Sequence, residues 1–319
     1  VAIPMILDCD PGHDDALAIM LAAADPHLDL LAITTVAGNT TLDKATLNAR
    51  RVCTVAGISG VPVAAGCDRP LVAKLRIADD IHGESGLDGP AFGEPSVPLA
   101  GEHAVALMRR LLLDHPEPVT LVPTGPLTNI ATLLRDHPSV RPRIREIVLM
   151  GGSTGRGNIT PYGEFNIFVD PEAADIVFHS GLPVTMIGLN VTHQALVTPE
   201  VVARIRALDT PLAEVCVELM TFFGSTYERV FGLPEPPLHD PIAVARVIAP
   251  GMVRCVDAPV AVELTGAHTR GATVVDLHRR TGAAPNAQVA LALDVPRFWD
   301  LLVGALTTLP GPRDAASPW

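Results

Sequence analysis

Lysine is almost absent from this chain: Lys44 and Lys74 are the only two among 319 residues. The other positive charges are arginines, with nothing denser than pairs such as Arg109-Arg110. Acidic residues outnumber basic ones 35 to 23, for a formal net charge of −12. A nucleic-acid groove or an anionic membrane surface calls for the opposite sign, so neither partner is expected. Cysteine is sparse and odd in number: Cys9, Cys53, Cys67, Cys216 and Cys255 are widely spaced, with no C-x-x-C pair. A disulfide framework or thiolate zinc site is therefore disfavoured, and the pattern reads as small buried residues in a reducing compartment. Long apolar runs are missing as well. The longest, Ala16 to Ala24, is too short to span a bilayer, and Val1-Ala2-Ile3-Pro4-Met5 does not resemble a signal segment. A soluble, cytoplasmic protein is expected.

Apolar material is plentiful, at 48% against 18% charged residues, which excludes intrinsic disorder. The 30 prolines and 26 glycines are scattered, as turns between many elements would be. Short apolar runs predict strands at Ile3–Leu7, Leu28–Val36, Val61–Ala65, Val119–Pro123, Glu146–Met150 and Val184–Leu189. Helical spacing falls between them, at His13–Ala24, Leu42–Ala56, Glu102–Leu113, after Gly125-Pro126, and at Pro171–His179. This alternation predicts an α/β fold: an open, mostly parallel Rossmann-like sheet with helices on both faces. No linker or repeat interrupts it, so residues 1–319 read as a single domain. Two long connections, Asp68–Leu99 and Gly224–His239, are expected to be lids or binding loops, or else disordered. Ligands of such sheets bind beyond the carboxyl ends of the strands.

The sharpest local signal is Asp8-Cys9-Asp10-Pro11-Gly12-His13-Asp14-Asp15. Four carboxylates crowd the end of a strand and the start of a helix. Asp14 and Asp15 alone could serve the helix N-terminus, and Asp8 could tie down the turn. Asp10 has no such account, and a divalent cation would relieve the repulsion. Hard oxygen donors without a cysteine or histidine pair point to Ca²⁺ or Mg²⁺ rather than zinc.

Asp-x-Asp-Pro-Gly-x-Asp-Asp at the first strand end resembles the signature of the inosine-uridine-preferring nucleoside hydrolases. Further blocks match in order: Ala32–Asn39, Val122–Asn129, Leu149–Gly152, Glu164–Ile167 with Asp170–Ala174, His239-Asp240-Pro241 and Thr269–Thr273. The resemblance implies one Ca²⁺ held by Asp10, Asp15, the Thr124 carbonyl and Asp240. A water held there would be the nucleophile, with Asp10 as its general base. Asp14, Asn39, Asn158, Glu164 and Asn166 would bind the ribose. The implied activity is Ca²⁺-dependent hydrolysis of the N-glycosidic bond of ribonucleosides in nucleoside salvage. Homodimers or homotetramers are expected by the same likeness. Taken by themselves, Asn158 and Asn166 equally suit loop turns, and Glu164 suits an exposed position.

Most of the 11 histidines sit in unremarkable contexts, but His82 and His239 lie in the two long loops. An imidazole there can protonate a departing base. The resemblance supports His239 in that role and His82 as a second loop histidine, with a solvent-exposed lid residue as the other reading of His82. Tyr227 matches a tyrosine at the family's pocket mouth, or else packs on the core beside Phe222 and Phe223. Aromatics amount to only 4%, and Trp299 and Trp319 lie far from the motifs. Scarce stacking partners favour pyrimidine ribonucleosides such as uridine and cytidine, with inosine possible.

Two other functions fit parts of the pattern. A haloacid-dehalogenase-like Mg²⁺ phosphohydrolase also carries Asp-x-Asp after a first strand, but needs a well-placed lysine. A non-catalytic sugar- or nucleoside-binding protein needs carboxylates and amides only.

Overall fold

Residues Ile3–Cys9 form β1, a strand buried on both faces. Met5, Leu7 and Cys9 enter one apolar cluster and Ile6 the other. Its sequence lacks polar alternation because neither face meets water. In this computed structural model, which describes residues 2–311, β1 lies near the middle of an eight-stranded sheet. The strands are β2 (Leu28–Thr35), β3 (Val63–Ala65), β4 (Val119–Pro123), β5 (Ile144–Met150), β6 (Val184–Ile187), β7 (Val253–Ala258), β8 (Val260–Val262), β9 (Thr273–Val275) and β10 (Ala287–Leu293). The large sheet runs β3-β2-β1-β4-β5-β6-β10-β7, and β8 pairs with β9 apart from it. Every pairing in the large sheet is parallel except β10 with β7. The expected α/β sheet is therefore present, with one antiparallel edge.

Helices cover both faces. His13–Ala24 packs on the cluster containing Leu7 and Val122, while Ala104–Asp114 and Thr128–Asp136 pack on the one containing Ile6 and Leu121. The chain runs β1 to β2 to β3 on one side, then returns to add β4 beside β1. Residues beyond the carboxyl ends of β1 and β4 thus flank the point where the strand order reverses, the place where such sheets bind ligands.

Half of one expected loop is helix. Gly224 to Phe231 belong to Pro211–Phe231, which begins at the Thr210 cap and ends at Gly232 with φ of 68°. Gly224 reads as a breaker by propensity, but packing of the apolar face overrides a deficit of about 1 kcal/mol. The left-handed Gly232 is the real stop. The other loop, Asp68–Leu99, is largely irregular around a four-residue helix, Asp79–His82. It is anchored near both ends: Asp170 Oδ2 accepts from Leu71 N at 2.9 Å, and Arg50 Nε donates to Val97 O at 2.7 Å.

Trp299 lies on the helix Val295–Leu306 and is buried in the core. Trp319 and Val1 lie outside the described residues. Among the described residues, no helix is long and apolar enough to cross a membrane. All five cysteines are free thiols.

Candidate active site

A cavity of about 260 Å³ opens over the carboxyl ends of β1, β4 and β5. Asp10 and Asp15 lie behind its floor, and Asp14, Thr124 and Asp240 line it. Local chain geometry assembles this floor. The extended Gly12 ends the turn after β1 and donates its N–H to Asp15 Oδ2 at 3.1 Å, which starts the helix His13–Ala24. Asp240 stands at the start of Pro241–Ile248, so two helix N-termini face the same point. Both dipoles favour negative charge there.

Asp14, Asp15 and Asp240 each offer one carboxylate oxygen, and the three atoms lie within 4.8 Å of one another. All three residues are buried. Burial, then the Asp15 charge, pushes the Asp14 carboxyl up to about 7. Burial likewise pushes Asp15 up to about 6. Asp10 and Asp240 are held well above the usual carboxylate range, again by burial first and neighbouring carboxylates second. Asp10 Oδ2 accepts from Asn39 N at 2.6 Å, but its Oδ1 is buried without a partner. Closely packed hard oxygens, one of them unpartnered, suit a divalent cation. Asp15 and Asp240 lie together in this trio, and Thr124 Oγ1 donates to Asp15 Oδ1 at 2.8 Å. Asp14, expected on the ribose alone, also belongs to the tight trio.

Amide groups surround the floor with defined polarity. Asn166 Nδ2 lies 2.7 Å from the Thr124 carbonyl and 3.2 Å from the Met150 carbonyl. Both partners only accept, so this end is the NH₂ and Oδ1 is left as an acceptor. Asn39 Nδ2 donates to Asp15 Oδ2 at 3.2 Å, which leaves its Oδ1 free by the same reasoning. Asn158 lines the cavity, and its Oδ1 accepts from Phe165 N at 2.9 Å. Glu164 is not exposed. It is 2% accessible and caps the helix Phe165–Val169, accepting from Gly152, Asn166 and Ile167 amides. Burial outweighs those amides and pushes its carboxyl up to about 7.

Beside the carboxylates, with His239 next to Asp240 in the chain, the cavity is lined by histidine and tyrosine. His239 Nε2 lies 2.9 Å from Tyr227 Oη, and His239 Nδ1 lies 2.7 Å from Thr192 Oγ1. Burial pushes His239 down to about 3 and Tyr227 well above the usual phenol range. His82 lines the cavity at 5% exposure, so the exposed-lid reading does not hold. Its Nδ1 meets His13 Nδ1 at 3.0 Å. Burial, then His13, holds His82 well below the usual imidazole range, and burial pushes His13 down to about 4.

His13 and Thr192 carry no functional signal in the sequence, because their partners lie 69 and 47 residues away. The scarcity of aromatics also misleads. Phe165, Phe223, Tyr227 and Phe231 all line the cavity, a third of the 12 aromatic residues. Composition gives their number, not their convergence. Neither lysine lines the cavity; Lys44 reaches the Glu84 carbonyl instead, and the phosphohydrolase reading lacks its required cation.

Comparison with known proteins gives the family. The inosine-uridine preferring nucleoside hydrolase family matches residues 5–300. A pyrimidine-specific ribonucleoside hydrolase RihA from Shewanella woodyi is 51% identical over 307 residues, covering 96% of this chain and 98% of its own. One from Citrobacter koseri is 49% identical over 307 residues, with 96% and 98% covered. A solved purine-preferring ribonucleoside hydrolase from Gardnerella vaginalis has a TM-score of 0.89 at 35% identity, covering 96% of this chain and 98% of that one. The chain belongs to the inosine-uridine preferring nucleoside hydrolase family.

Proposed function

We propose that this ribonucleoside hydrolase acts on pyrimidine ribonucleosides, uridine and cytidine ahead of inosine, with Ca²⁺ as its cation. The observation that carries the reading is the buried carboxylate floor, with its unpartnered Asp10 oxygen, at one cavity with a hydrogen-bonded histidine–tyrosine pair. The names of the relatives at about half identity support the pyrimidine preference.

Asp10, Asp15, Asp240 and the Thr124 carbonyl would hold the cation; that carbonyl keeps a second lone pair beside its bond to Asn166. A Ca²⁺ held there would supply positive charge that lowers the pKa of a nearby water and favours the ribose hydroxyls. Asp10 takes the proton of the attacking water at its partnerless Oδ1. Asp14, Glu164 and the free oxygens of Asn39 and Asn166 accept from ribose hydroxyls, with Asn158 at the same wall. Their negative charge opposes the positive sugar of an oxocarbenium-like transition state as the C1′–N bond breaks. Tyr227 and His239 deliver a proton to the leaving base, and His82 faces the base beside them.

Release of reducing sugar from uridine, cytidine and inosine tests this, before and after chelation and Ca²⁺ return. Uridine and cytidine are expected to turn over fastest, and chelation to abolish release until Ca²⁺ is restored. Faster turnover of inosine would overturn the pyrimidine preference. Unchanged activity after chelation would overturn the cation. The same proposal takes the chain as a single catalytic domain working in the cytoplasm as a homodimer or homotetramer, which light scattering on the purified protein tests.

A further inference from the structure

Asn129 does not line the cavity, yet it is fully buried and its side-chain amide is bonded at both ends. Nδ2 donates to the Thr35 carbonyl at 2.9 Å and to Asp8 Oδ1 at 2.8 Å, and Oδ1 accepts from Cys67 N at 2.8 Å. The Cys67 N–H only donates and the Thr35 carbonyl only accepts, so backbone groups alone fix which end of the amide is which. Asn129 is the second residue of the helix Thr128–Asp136 that follows β4. Asp8 lies in β1, Thr35 ends β2, and Cys67 stands two residues past β3. One amide therefore joins the carboxyl ends of four neighbouring strands.

Those strand ends carry the two loops that enclose Asp10. On one side, Ala37 N donates to the Cys67 carbonyl at 3.0 Å, and two residues further Asn39 N donates to Asp10 Oδ2 at 2.6 Å. On the other, the helix bearing Asn129 begins just past Gly125 and Pro126, and a Cβ on Gly125 would stand 2.5 Å from Asp10 Oδ1. The two loops touch, since a Cβ on Gly38 would stand 2.6 Å from Pro126 Cδ. Gly66 makes room for the amide: a Cβ there would stand 2.3 Å from Asn129 Oδ1 and 2.4 Å from Nδ2.

We propose that Asn129 is a positioning residue for the Asp10 carboxylate. By tying β1, β2 and the segment after β3 to its own helix, it sets the spacing of the two loops between which Asp10 is held. It acts from outside the cavity, through the Asn39–Asp10 bond on one side and the Gly125 backbone on the other. Asp14, Glu164 and Asn166 belong to other elements, the helices His13–Ala24 and Phe165–Val169 with its cap, and make no bond to Asn129. The grip on the sugar is thus separate from the placement of Asp10. The inference rests on the role given to Asp10 in the nucleoside reading above.

Two variants disturb the clamp in different ways. Asn129→Asp keeps the size and shape but sets an oxygen against the Thr35 carbonyl and Asp8. Gly66→Ala leaves the amide intact and displaces it, and carries the same test where the aspartate variant does not fold. Each should lower kcat for uridine about tenfold, with KM changed less than about threefold. The loss should be equal on p-nitrophenyl riboside, because attack by water serves both substrates. NMR of the chelated protein gives a reading independent of turnover. The Asn39 amide proton, held 2.6 Å from a carboxylate oxygen, should resonate downfield in the wild type and move upfield in both variants, while amides of β5 and β10 keep their positions. Wild-type kcat, a loss carried by KM, or an unmoved Asn39 resonance each overturns the proposal. A wild type that releases sugar from no ribonucleoside overturns the proposed function instead, and the Asn39 resonance still reports the clamp.

Discussion

Gly38 lies against Asp10: a Cβ built on Gly38 would stand 2.1 Å from Asp10 Oδ2. On the other side, a Cβ on Gly125 would stand 2.5 Å from Asp10 Oδ1. The two glycines leave a slot that a carboxylate fills, and neither needs an unusual backbone angle to do so. Gly38→Ala and Gly125→Ala should therefore displace the Asp10 side chain. Catalysis depends on its placement to a fraction of an ångström, so kcat for uridine should fall about tenfold or more. Strain of about 1–3 kcal/mol should lower the unfolding temperature modestly. Wild-type kcat in both variants would show that the slot does not fix a working group.

Asp10→Asn separates function from stability. The amide keeps an oxygen for the Asn39 N–H but loses the basic carboxylate and one cation-binding charge. Turnover should drop by about 10²–10⁴. In chelated protein the same change relieves a buried charge cluster, so the variant should melt at or above the wild type. A variant that turns over normally would remove Asp10 from the chemistry.

The sequence made the floor of this site legible because its residues are local: Asp8 to Asp15 span one strand end and one helix start, a period change visible in the chain itself. Thr124, 109 residues from Asp15, was readable only through the family resemblance of its ordered block. The histidines were less so. His82 and His239 stood out by their loops and resemblance, whereas His13 and Thr192 gain meaning only when folding brings partners 69 and 47 residues away. Glu164 shows the limit of local context. Glycines and a single phenylalanine around it suggest exposure, yet three backbone amides hold it in the interior. Gly224 misled in the other direction, since helix packing tolerates what propensity disfavours. Asp8, plausible as a backbone tie, instead accepts from Thr34 Oγ1 at 2.6 Å and Asn129 Nδ2 at 2.8 Å inside the sheet.

Removal of the ribose 2′-hydroxyl should be severe. Asn166 and Asn39 have their NH₂ ends committed, so their free oxygens and the Asp14 carboxylate await hydroxyl donors. A missing donor leaves buried acceptors unpaired, which can cost about 10⁴ in kcat/KM. Comparable kcat/KM for uridine and deoxyuridine would mean that these groups do not hold the diol.

Tyr227 and His239 should act as a unit, since Oη and Nε2 are 2.9 Å apart. His239→Ala and Tyr227→Phe are each expected to depress uridine turnover by about 10²-fold or more, and the double variant to add little further. p-Nitrophenyl riboside, with a leaving group that needs no proton, should be much less affected. Fully additive losses, or equal losses on both substrates, would assign the pair to positioning the sugar rather than to proton delivery.

The pH dependence of the metal-free enzyme follows from the raised carboxyls. Asp14 sits at about 7 against an ordinary 3.8, and Glu164 at about 7 against 4.5. Between those values the folded chain binds more protons than the unfolded one, so stability falls as pH rises through the folded pKa. Buried histidines act oppositely: His13 and His239 are lowered to about 4 and about 3, so they add stability as pH rises towards 6.5. Above 6.5 their contribution levels off, while the raised carboxyls, Asp10 and Asp240 among them, still bind protons in the folded chain and dominate the slope. The chelated protein should therefore melt at lower temperature at pH 7.5 than at 6.5, and Ca²⁺ should largely remove that fall. The cation favours the ionised carboxylates, so its uptake at pH 6.5 should release about one proton or more per ion. Calorimetry in two buffers of different ionisation enthalpy measures that release directly. Binding without proton release, together with a chelated protein that gains stability from pH 6.5 to 7.5, would show that these carboxyls are already ionised and that the cation is not what relieves their repulsion.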